Sequence, residues 1–207
     1  MKVNWYLKQK ICLVGAIALS LCQGVSSFPA DAVSLQETTI LPQRFADWCL
    51  NKANLPPDTR HTVDVLLQEA GTQECDRADK QLSTLPFLSL NSNRITDLKP
   101  LSSLTNLTIL GLGNNKIADL KPLSSLPNLT VLYLYKNQIT DLKPLSSLTN
   151  LSILNLWDNK VADLKPLSSL TSLSDLDLSN NKITDIKPLS SLTNLSNLVL
   201  KGNPINR

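Results

Sequence analysis

Aromatic residues, glycine and histidine are scarce in this sequence: 4% of its 207 residues are aromatic, 6 are glycine and 1 is histidine. The chain has no glycine-rich phosphate loop, no dinucleotide motif and no cluster of metal-ligating residues. The single histidine, His61, has no nucleophile at a catalytic spacing, and we interpret it as a solvated or capping residue. We therefore expect neither an enzyme nor a protein that holds a metal or another cofactor.

The chain also lacks a large excess of charge of one sign. Its formal net charge is +3, and lysine and aspartate alternate along it instead of forming blocks. Proteins that bind nucleic acid or an anionic membrane surface carry a basic patch or run. The composition therefore argues against a nucleic-acid partner.

The first 32 residues have the composition of an export signal. Residues 2–10 are basic at their start and end, and residues 11–22 form an apolar run that is too short to span a bilayer. Ala32 ends a small-residue motif, so we expect cleavage after it, with a site nearer Ser27 as the alternative. The mature chain is thus predicted to be secreted, to the periplasm or the cell exterior, without a membrane span.

Two of the 4 cysteines, Cys12 and Cys22, lie in the predicted signal. A lipid anchor on Cys22 would need a small residue before it, whereas the chain has Leu21 there. Cys49 and Cys75 remain in a compartment that permits disulfides, so we expect them to be bonded to each other. Two buried free thiols are the alternative.

A unit of 22 residues recurs from residue 85 to residue 207, as five complete copies and a partial sixth. Each copy opens with L-x-x-L-x-L-x-x-N, in which leucines alternate with the period of a β-strand. Each copy should therefore add one strand to a parallel sheet, with its leucines inward. Pro144 and its equivalents come later in the unit, where they suit the first turn of a short helix. The pattern resembles the signature of leucine-rich repeats.

Two polar columns recur within the unit, and we interpret both as structural. Asparagines at the ninth position are expected to stack where each strand turns and to bond buried backbone groups there. They are Asn93, Asn115, Asn137, Asn159, Asn181 and Asn203. Aspartates precede each helical turn and are expected to cap it rather than to act as acid–base pairs. They are Asp97, Asp119, Asp141, Asp163 and Asp185.

Residues 33–84 lack the repeat and show helical periodicity instead. A second helix is expected to begin at Asp58 or Thr59 and to end at Gly71. We predict a small helical cap over the first repeat, because the end of a solenoid exposes core leucines and a strand edge. A Cys49–Cys75 bridge would join the first helix of this cap to its third.

The unit is similar to the repeats of the internalins, secreted bacterial proteins in which a helical cap precedes slim repeats of the same length. Residues 139–150, I-T-D-L-K-P-L-S-S-L-T-N, carry the likeness, which covers residues 85–207 closely and the cap in layout only. The resemblance implies an α/β solenoid: a right-handed leucine-rich repeat horseshoe with a parallel concave sheet, 3₁₀ turns on the convex side and an N-terminal helical cap. It also implies that the concave side binds a protein, and it does not specify which protein.

Large aromatic side chains occupy outward positions of the third and fourth repeats. Tyr133, Tyr135 and Trp157 are three of the four aromatics after residue 84, and leucines fill the inward positions there. Because Tyr and Trp dominate the energetics of interfaces, we predict that these three form the hot spot for a protein partner. Gly111 and Gly113 are expected to leave a hollow beside them. The alternative is that the rings only stack on one another and stiffen the sheet.

Asp175 and Asp177 lie on the next strand and would add an acidic rim to this site, or else belong to a solvated face. Two other functions stay open. A glycan would stack on the aromatic rings beside a basic edge formed by Arg94, Lys116, Lys160 and Lys182. A structural protein would associate with itself through the far end, where Leu198 and Leu200 face no further repeat.

Overall fold

The computed structural model describes residues 44–205, and every structural statement below refers to that range. The predicted export signal, with Cys22, and residues 33–43 of the predicted cap lie outside the described residues. No helix in residues 44–205 is both long and apolar enough to cross a membrane.

Three α-helices precede the sheet in this range: α1 (Phe45–Leu50), α2 (Pro57–Glu69) and α3 (Cys75–Leu82). Helix α2 begins slightly earlier than the predicted start at Asp58 or Thr59, because Pro57 takes its first position. Proline suits that position, since its fixed φ fits the helix and its missing N–H would have no intrahelical partner there. Gly71 follows the end of α2 with a φ of +63°, which glycine adopts without steric penalty.

A disulfide joins Cys49 of α1 to Cys75 of α3, with a Cα–Cα distance of 5.5 Å. The bridge connects the first helix to the third, in the arrangement that the sequence analysis expects. Phe45 of α1 and Ala78 of α3 are fully buried, so an apolar core supports the same pair of helices.

Six short parallel strands follow and form one sheet in chain order. They are β1 (Phe87–Ser89), β2 (Ile109–Gly111), β3 (Val131–Tyr133), β4 (Ile153–Asn155), β5 (Asp175–Asp177) and β6 (Asn197–Val199). Neighbouring strands pair at an offset of one repeat, as Leu110 with Leu132 and Leu132 with Leu154. These leucines are fully buried. The predicted α/β solenoid with a parallel sheet is therefore confirmed.

A 3₁₀ turn follows each of the first five strands. The turns are Lys99–Leu101, Lys121–Ser125, Lys143–Ser147, Lys165–Ser169 and Lys187–Ser191. Pro144 lies at the start of its turn, as predicted, while Leu145 and Leu148 return to the core and are fully buried. Ser146 faces solvent. Each repeat thus closes around its own leucines, and adjacent repeats stack these leucines into one continuous core.

The asparagine column forms the predicted buried ladder. The amide oxygen of Asn137 accepts a hydrogen bond from the backbone N–H of Ile117 at 2.9 Å. Its amide nitrogen donates to the backbone oxygens of Leu112 and Leu134, each at 3.0 Å. One side chain therefore satisfies buried backbone groups of two successive repeats, which confirms its structural role.

A second asparagine ladder, which was not predicted, lies at the end of the repeat. The amide nitrogen of Asn128 donates to the backbone oxygen of Thr105 at 2.9 Å, and the equivalent bond forms in three other repeats. Those three use Asn106, Asn150 and Asn194. Ser172 takes the equivalent position in the fourth repeat. Its shorter side chain makes no such bond in the described part of the chain, so the ladder is interrupted there.

The aspartate column caps the turns, as expected. The backbone N–H of Lys143, the first residue of its turn, donates to the carboxylate of Asp141 at 2.8 Å. Leu142 occupies the position directly before the turn and has no side-chain acceptor, so Asp141 supplies the cap from one residue earlier. The same bond recurs in the other four turns.

The residue before each ladder asparagine adopts a left-handed backbone conformation, which was also not predicted. In most repeats it is Ser, Asn, Asp or Gly; the residues are Ser92, Asn114, Lys136, Asp158, Asn180 and Gly202. Lys136 has a φ of +53° although lysine is poorly suited to this region. The turn at the end of the strand thus imposes a conformation that most of these residue types accept readily and Lys136 does not.

Candidate functional site

Three rows of side chains point outward from the sheet, and together they form the surface that we call the sheet face. Each row runs across the strands at one position of the repeat. The first row is Phe87, Ile109, Val131, Ile153, Asp175 and Asn197. The second row is Ser89, Gly111, Tyr133, Asn155, Asp177 and Val199. The third row is Asn91, Gly113, Tyr135, Trp157, Ser179 and Lys201, two residues further along each chain segment.

The rings of Tyr135 and Trp157 stack on the third row. Their centroids are 6.2 Å apart and their planes are inclined by 29°. The neighbouring segments pair through the backbone N–H of Lys136, which donates to the oxygen of Trp157 at 2.8 Å. Both side chains are half-buried, so one side of the stack is packed and the other remains open to a ligand.

Gly113 lies directly beneath Tyr135, and this corrects the prediction of a hollow. A methyl group at Gly113 would collide with the ring of Tyr135, and a methyl group at Gly111 would lie 2.9 Å from the amide nitrogen of Asn91. Both glycines are buried. The space that side chains would take at these two glycines is thus filled by the ring of Tyr135 and the amide of Asn91, so the expected hollow is occupied.

Lys136 adds a positive charge to the stack. Its ammonium nitrogen lies 4.8 Å from the centroid of Trp157, within the range of a cation–π interaction. The left-handed conformation of Lys136 places the side chain beside this ring. Lys136 was not predicted as a site residue, and the signal that identifies it is a lysine at a position otherwise held by Ser, Asn, Asp or Gly.

Tyr133 shares the sheet face with the stack without being part of it. It lies in the second row, where it pairs in register with Gly111 and Asn155, and it is half-buried. Among the described residues its hydroxyl makes no hydrogen bond, so the polar end of the ring stays available to a partner. The structure therefore brings two of the three predicted aromatics into direct contact and leaves the third beside them.

The two predicted acidic residues lie on β5, next to this aromatic surface. Asp175 accepts a hydrogen bond from the amide of Asn197 at 2.8 Å, through its Oδ2. Asp177 accepts from the backbone N–H of Ser179 at 2.9 Å and from the hydroxyl of the same serine, both through its Oδ1. Each aspartate is half-buried and accepts its hydrogen bonds through one oxygen, while the other oxygen accepts none from the described residues.

The first row carries an apolar strip that the sequence analysis did not single out. Phe87 is 54% exposed, and the next three side chains of the row are half-buried. These are Ile109, Val131 and Ile153, in register on β2, β3 and β4. The sequence does indicate this strip: the residue before the central leucine of each strand is apolar in four successive repeats, and the fifth repeat has Asp175 there.

Other residues singled out from the sequence lie away from the sheet face. His61 lies at the contact between α2 and the first repeat, where its Nε2 is 2.6 Å from the backbone oxygen of Asn93. The predicted basic edge is exposed and follows the ladder asparagines, outside the three rows; it comprises Arg94, Lys116, Lys160 and Lys182. No group of three or more metal-ligating side chains occurs within residues 44–205.

Comparison with protein families gives a match over most of the repeat region. The model for "Leucine Rich repeats (2 copies)" matches residues 84–125, 127–169 and 171–207. No curated protein matches the chain.

Solved structures similar to this chain include leucine-rich repeat proteins of bacteria and plants. Internalin C2 from Listeria monocytogenes has 31% sequence identity, covers 70% of this chain with 84% of its own, and gives a TM-score of 0.43. A leucine-rich repeat protein from Leptospira interrogans has 36% identity over 62% of this chain and a TM-score of 0.58, but only 34% of its own length is matched. The leucine-rich repeat ectodomain of a receptor kinase from Arabidopsis thaliana has 30% identity, covering 57% of this chain and 69% of its own, with a TM-score of 0.50.

Proposed function

The chain belongs to the leucine-rich repeat family, whose model matches more than half of it, and on this premise we propose that it binds a protein partner with its sheet face. Tyr135 and Trp157 form the anchor of this site, and Tyr133 lies beside them. Asp175 and Asp177 form its acidic rim. The protein acts by binding rather than by catalysis.

One observation carries the proposal: a half-exposed aromatic stack is already formed in the unbound protein, at positions where the fold does not need rings. The equivalent third-row residues in other repeats are Asn91, Gly113, Ser179 and Lys201, and those repeats fold in the same way. Aromatic residues that are rigid before binding lose little conformational entropy when a partner covers them. Tyr and Trp are also the residue types most enriched among interface hot spots. The stack is therefore better explained by binding than by stiffening of the sheet.

The competing role, stiffening of the sheet, is distinguished by comparing stability with affinity. Loss of the stacking contact alone should reduce the free energy of unfolding by about 1 kcal/mol. A binding hot spot should lose about 2 kcal/mol or more in affinity when it is truncated, or about 30-fold in Kd. Trp157→Ala is therefore expected to weaken partner binding considerably more than it weakens folding.

The experiment uses the purified full chain to capture a protein from the native surface fraction, followed by a Kd measurement with each variant. Trp157→Phe keeps an aromatic ring and should retain most of the affinity lost in Trp157→Ala. Lys201→Ala is the control, because it lies in the same row and its exposed side chain makes no contact that the fold requires. Ser179→Ala is less suitable, because Ser179 is buried and its hydroxyl bonds Asp177. If Trp157→Ala binds the partner with unchanged affinity but is less stable, the aromatic stack stiffens the sheet and does not anchor the partner.

We also propose that the chain is exported, with residues 1–32 as its signal, residues 33–84 as its helical cap and residues 85–207 as its repeats. The Cys49–Cys75 disulfide supports this, since structural disulfides persist in oxidising compartments. Intact-mass analysis of the exported protein after alkylation should find no free thiol and a mass that begins near residue 33. Two alkylated thiols would contradict the bridge, and retention of residues 1–32 would contradict the signal.

Self-association is a second candidate function, favoured by an apolar surface at the last described repeat. Ile186 and Leu198 are 39% and 37% exposed, although their equivalents in earlier repeats are buried. They line, together with Leu189, an open cavity of about 350 Å³. Sedimentation of the full chain should show a concentration-dependent dimer that Leu198→Asp abolishes if this surface joins two copies. A monomer at all concentrations would leave the sheet face as the site of function.

A further inference from the structure

The sheet face changes its chemistry abruptly between β4 and β5. In the first row, apolar side chains occupy the four strands from β1 to β4, and the row continues with Asp175, which pairs in register with Ile153. In the second row, Asp177 pairs with Asn155. With strands about 4.8 Å apart, the first row extends for about 19 Å from Phe87 to Asp175. A ligand that crosses the strands would meet an apolar strip first and two carboxylates at its end.

Each of these carboxylates keeps one oxygen without a partner among the described residues. Asp175 uses Oδ2 to accept from Asn197, and Asp177 uses Oδ1 to accept from Ser179. Asp175 Oδ1 and Asp177 Oδ2 accept no hydrogen bond within residues 44–205. The ion pairs of that range involve Asp47, Asp64, Asp79 and Asp97, and none involves a residue of the sheet face. Two half-buried negative charges therefore lie next to the apolar strip, and neither forms an ion pair with another described residue.

The positive charges near the sheet face lie in its third row or directly after it. Lys136 is held against the ring of Trp157, at 4.8 Å, and follows the third row along the chain. Lys201 lies in the third row on the segment after β6 and does not approach either aspartate within ion-pair distance among the described residues. The first row, by contrast, carries no basic residue from Phe87 to Asn197. The first two rows of the sheet face thus carry negative charge on β5 and no positive charge on any strand.

We infer that the partner carries a segment in which apolar side chains are followed by arginine or lysine, lying across the strands with its basic end on β5. The apolar side chains would cover Val131 and Ile153, and the cation would bind the free oxygens of Asp175 and Asp177. Arginine suits this position, because a guanidinium can donate to two carboxylate oxygens at once. The inference rests on the proposed function of the sheet face and adds the chemistry of the partner to it.

The test uses three synthetic peptide pools against the full chain, with binding measured by fluorescence anisotropy. All pools share a twelve-residue design with an apolar half and differ only in two residues at one end: Arg-Arg, Gln-Gln or Glu-Glu, each pool containing both chain directions. The Arg-Arg pool should bind at least about tenfold more tightly than the Gln-Gln pool, and the Glu-Glu pool should bind most weakly, in line with the size of charge-assisted contacts. The preference should shrink as salt is added.

A double variant and a matched control make the result specific to β5. Asp175→Asn with Asp177→Asn retains the oxygens that Asn197 and Ser179 bond and removes both charges. It should abolish the Arg-Arg preference and leave binding of the Gln-Gln pool unchanged. Asp141→Asn with Asp163→Asn removes the same net charge from two turns outside the sheet face and keeps an oxygen for each cap. This control should retain the preference.

Failure of the inference and failure of the proposed function give different results. If the Gln-Gln and Arg-Arg pools bind equally, or if the Arg-Arg pool does not bind, the inferred partner chemistry is overturned. If the preference persists in the Asp175→Asn, Asp177→Asn variant, the same conclusion holds. The proposed function stands in these cases as long as Trp157→Ala weakens capture of the protein partner, and it falls if that variant has no effect.

Discussion

The helical region and the repeats are held together in different ways. In the helical region, each contact occurs once: a single disulfide joins α1 to α3, and Thr62 of α2 donates to the backbone oxygen of Asp97 at 2.7 Å to join the helices to the first repeat. In the repeats, the same few bonds recur at every turn, as with Asn137 and its equivalents. The repeats therefore use a small, fixed set of residues for stability.

This difference shows where the molecule is free to vary. Ladder asparagines, capping aspartates and inward leucines hold each repeat to its neighbours, and the outward side chains of the strands take no part in those bonds. Phe87, Val131 and Asp175 occupy one such position in three repeats whose folds are the same. Outward side chains of this kind can thus serve binding with little effect on stability, which is not so for the buried Gly113 or for buried residues of the helical region.

The largest expected effect comes from breaking the buried ladder. Asn137→Ala would leave the buried N–H of Ile117 without a partner. It would also remove one of the two asparagine bonds that the oxygens of Leu112 and Leu134 each accept, while the bonds from Asn115 and Asn159 remain. At about 2 kcal/mol for the unsatisfied N–H and about 1 kcal/mol for each lost bond, we expect a loss of about 4 kcal/mol in the free energy of unfolding. Urea unfolding followed by circular dichroism measures it. Gln138→Ala, at the adjacent exposed residue, is the control and should change the free energy by less than about 0.5 kcal/mol.

Removing the disulfide of the helical region should have the next largest effect. Cys49→Ala with Cys75→Ala opens a loop with a sequence separation of 26 residues. The chain-entropy account gives a loss of about 3 kcal/mol for such a loop. Amide hydrogen exchange should show the loss in α1 and α3, while β3 and β4 keep their protection. Equal loss of protection in the helices and in the distant strands would show that the two regions do not differ in the way described.

A methyl group at Gly113 should affect stability and the aromatic stack together. Gly113→Ala forces the ring of Tyr135 away from the backbone, and overpacking of this kind reduces stability by about 2 kcal/mol. The same change in a Tyr135→Ala background should be nearly neutral, because the colliding ring is absent. Thermal unfolding of the four proteins of this double-mutant cycle measures the coupling. Additive effects would mean that Tyr135 does not lie on Gly113.

The smallest expected effect is a gain. Ser172→Asn restores the missing member of the second asparagine ladder and should add one hydrogen bond to the backbone oxygen of Thr149, by analogy with Asn128 and Thr105. A bond of this kind contributes about 1 kcal/mol to stability. The reverse change, Asn128→Ser, should reduce stability by a similar amount, and urea unfolding compares the two. A loss of stability in Ser172→Asn would contradict the assigned role of this ladder.

The sequence predicted the fold closely because its periodicity leaves little choice of structure. The alternation of leucines fixes which side chains of each strand are inward, and the repeat length fixes the register, as in the pairing of Leu132 with Leu154. The asparagine and aspartate columns were predictable for the same reason, since each residue type matches a recurring need of the backbone. The left-handed conformation at Lys136 was not predicted, because lysine itself gives no sign of it and only the residue types at the equivalent positions of other repeats do.

The candidate site was predicted only in part, because its geometry depends on the conformation of each side chain. The positions of Tyr135 and Trp157 follow from phase, but phase does not show that the tyrosine ring covers Gly113 and closes the expected hollow. The contact of Lys136 with Trp157 likewise depends on a backbone turn that composition does not reveal. The predicted roles of Tyr133, Asp175 and Asp177 in binding stay predictions.

Photo-crosslinking from the sheet face tests the central claim most directly. A photoreactive phenylalanine analogue at Tyr133 keeps an aromatic ring in the second row, and the same analogue at Lys143 places it on an exposed 3₁₀ turn. Both proteins are irradiated with the native surface fraction and compared for covalent partners. The account predicts a discrete protein adduct from position 133 and none from position 143. Adducts from position 143 alone would show that the partner binds the turns, and would contradict the assignment of function to the sheet face.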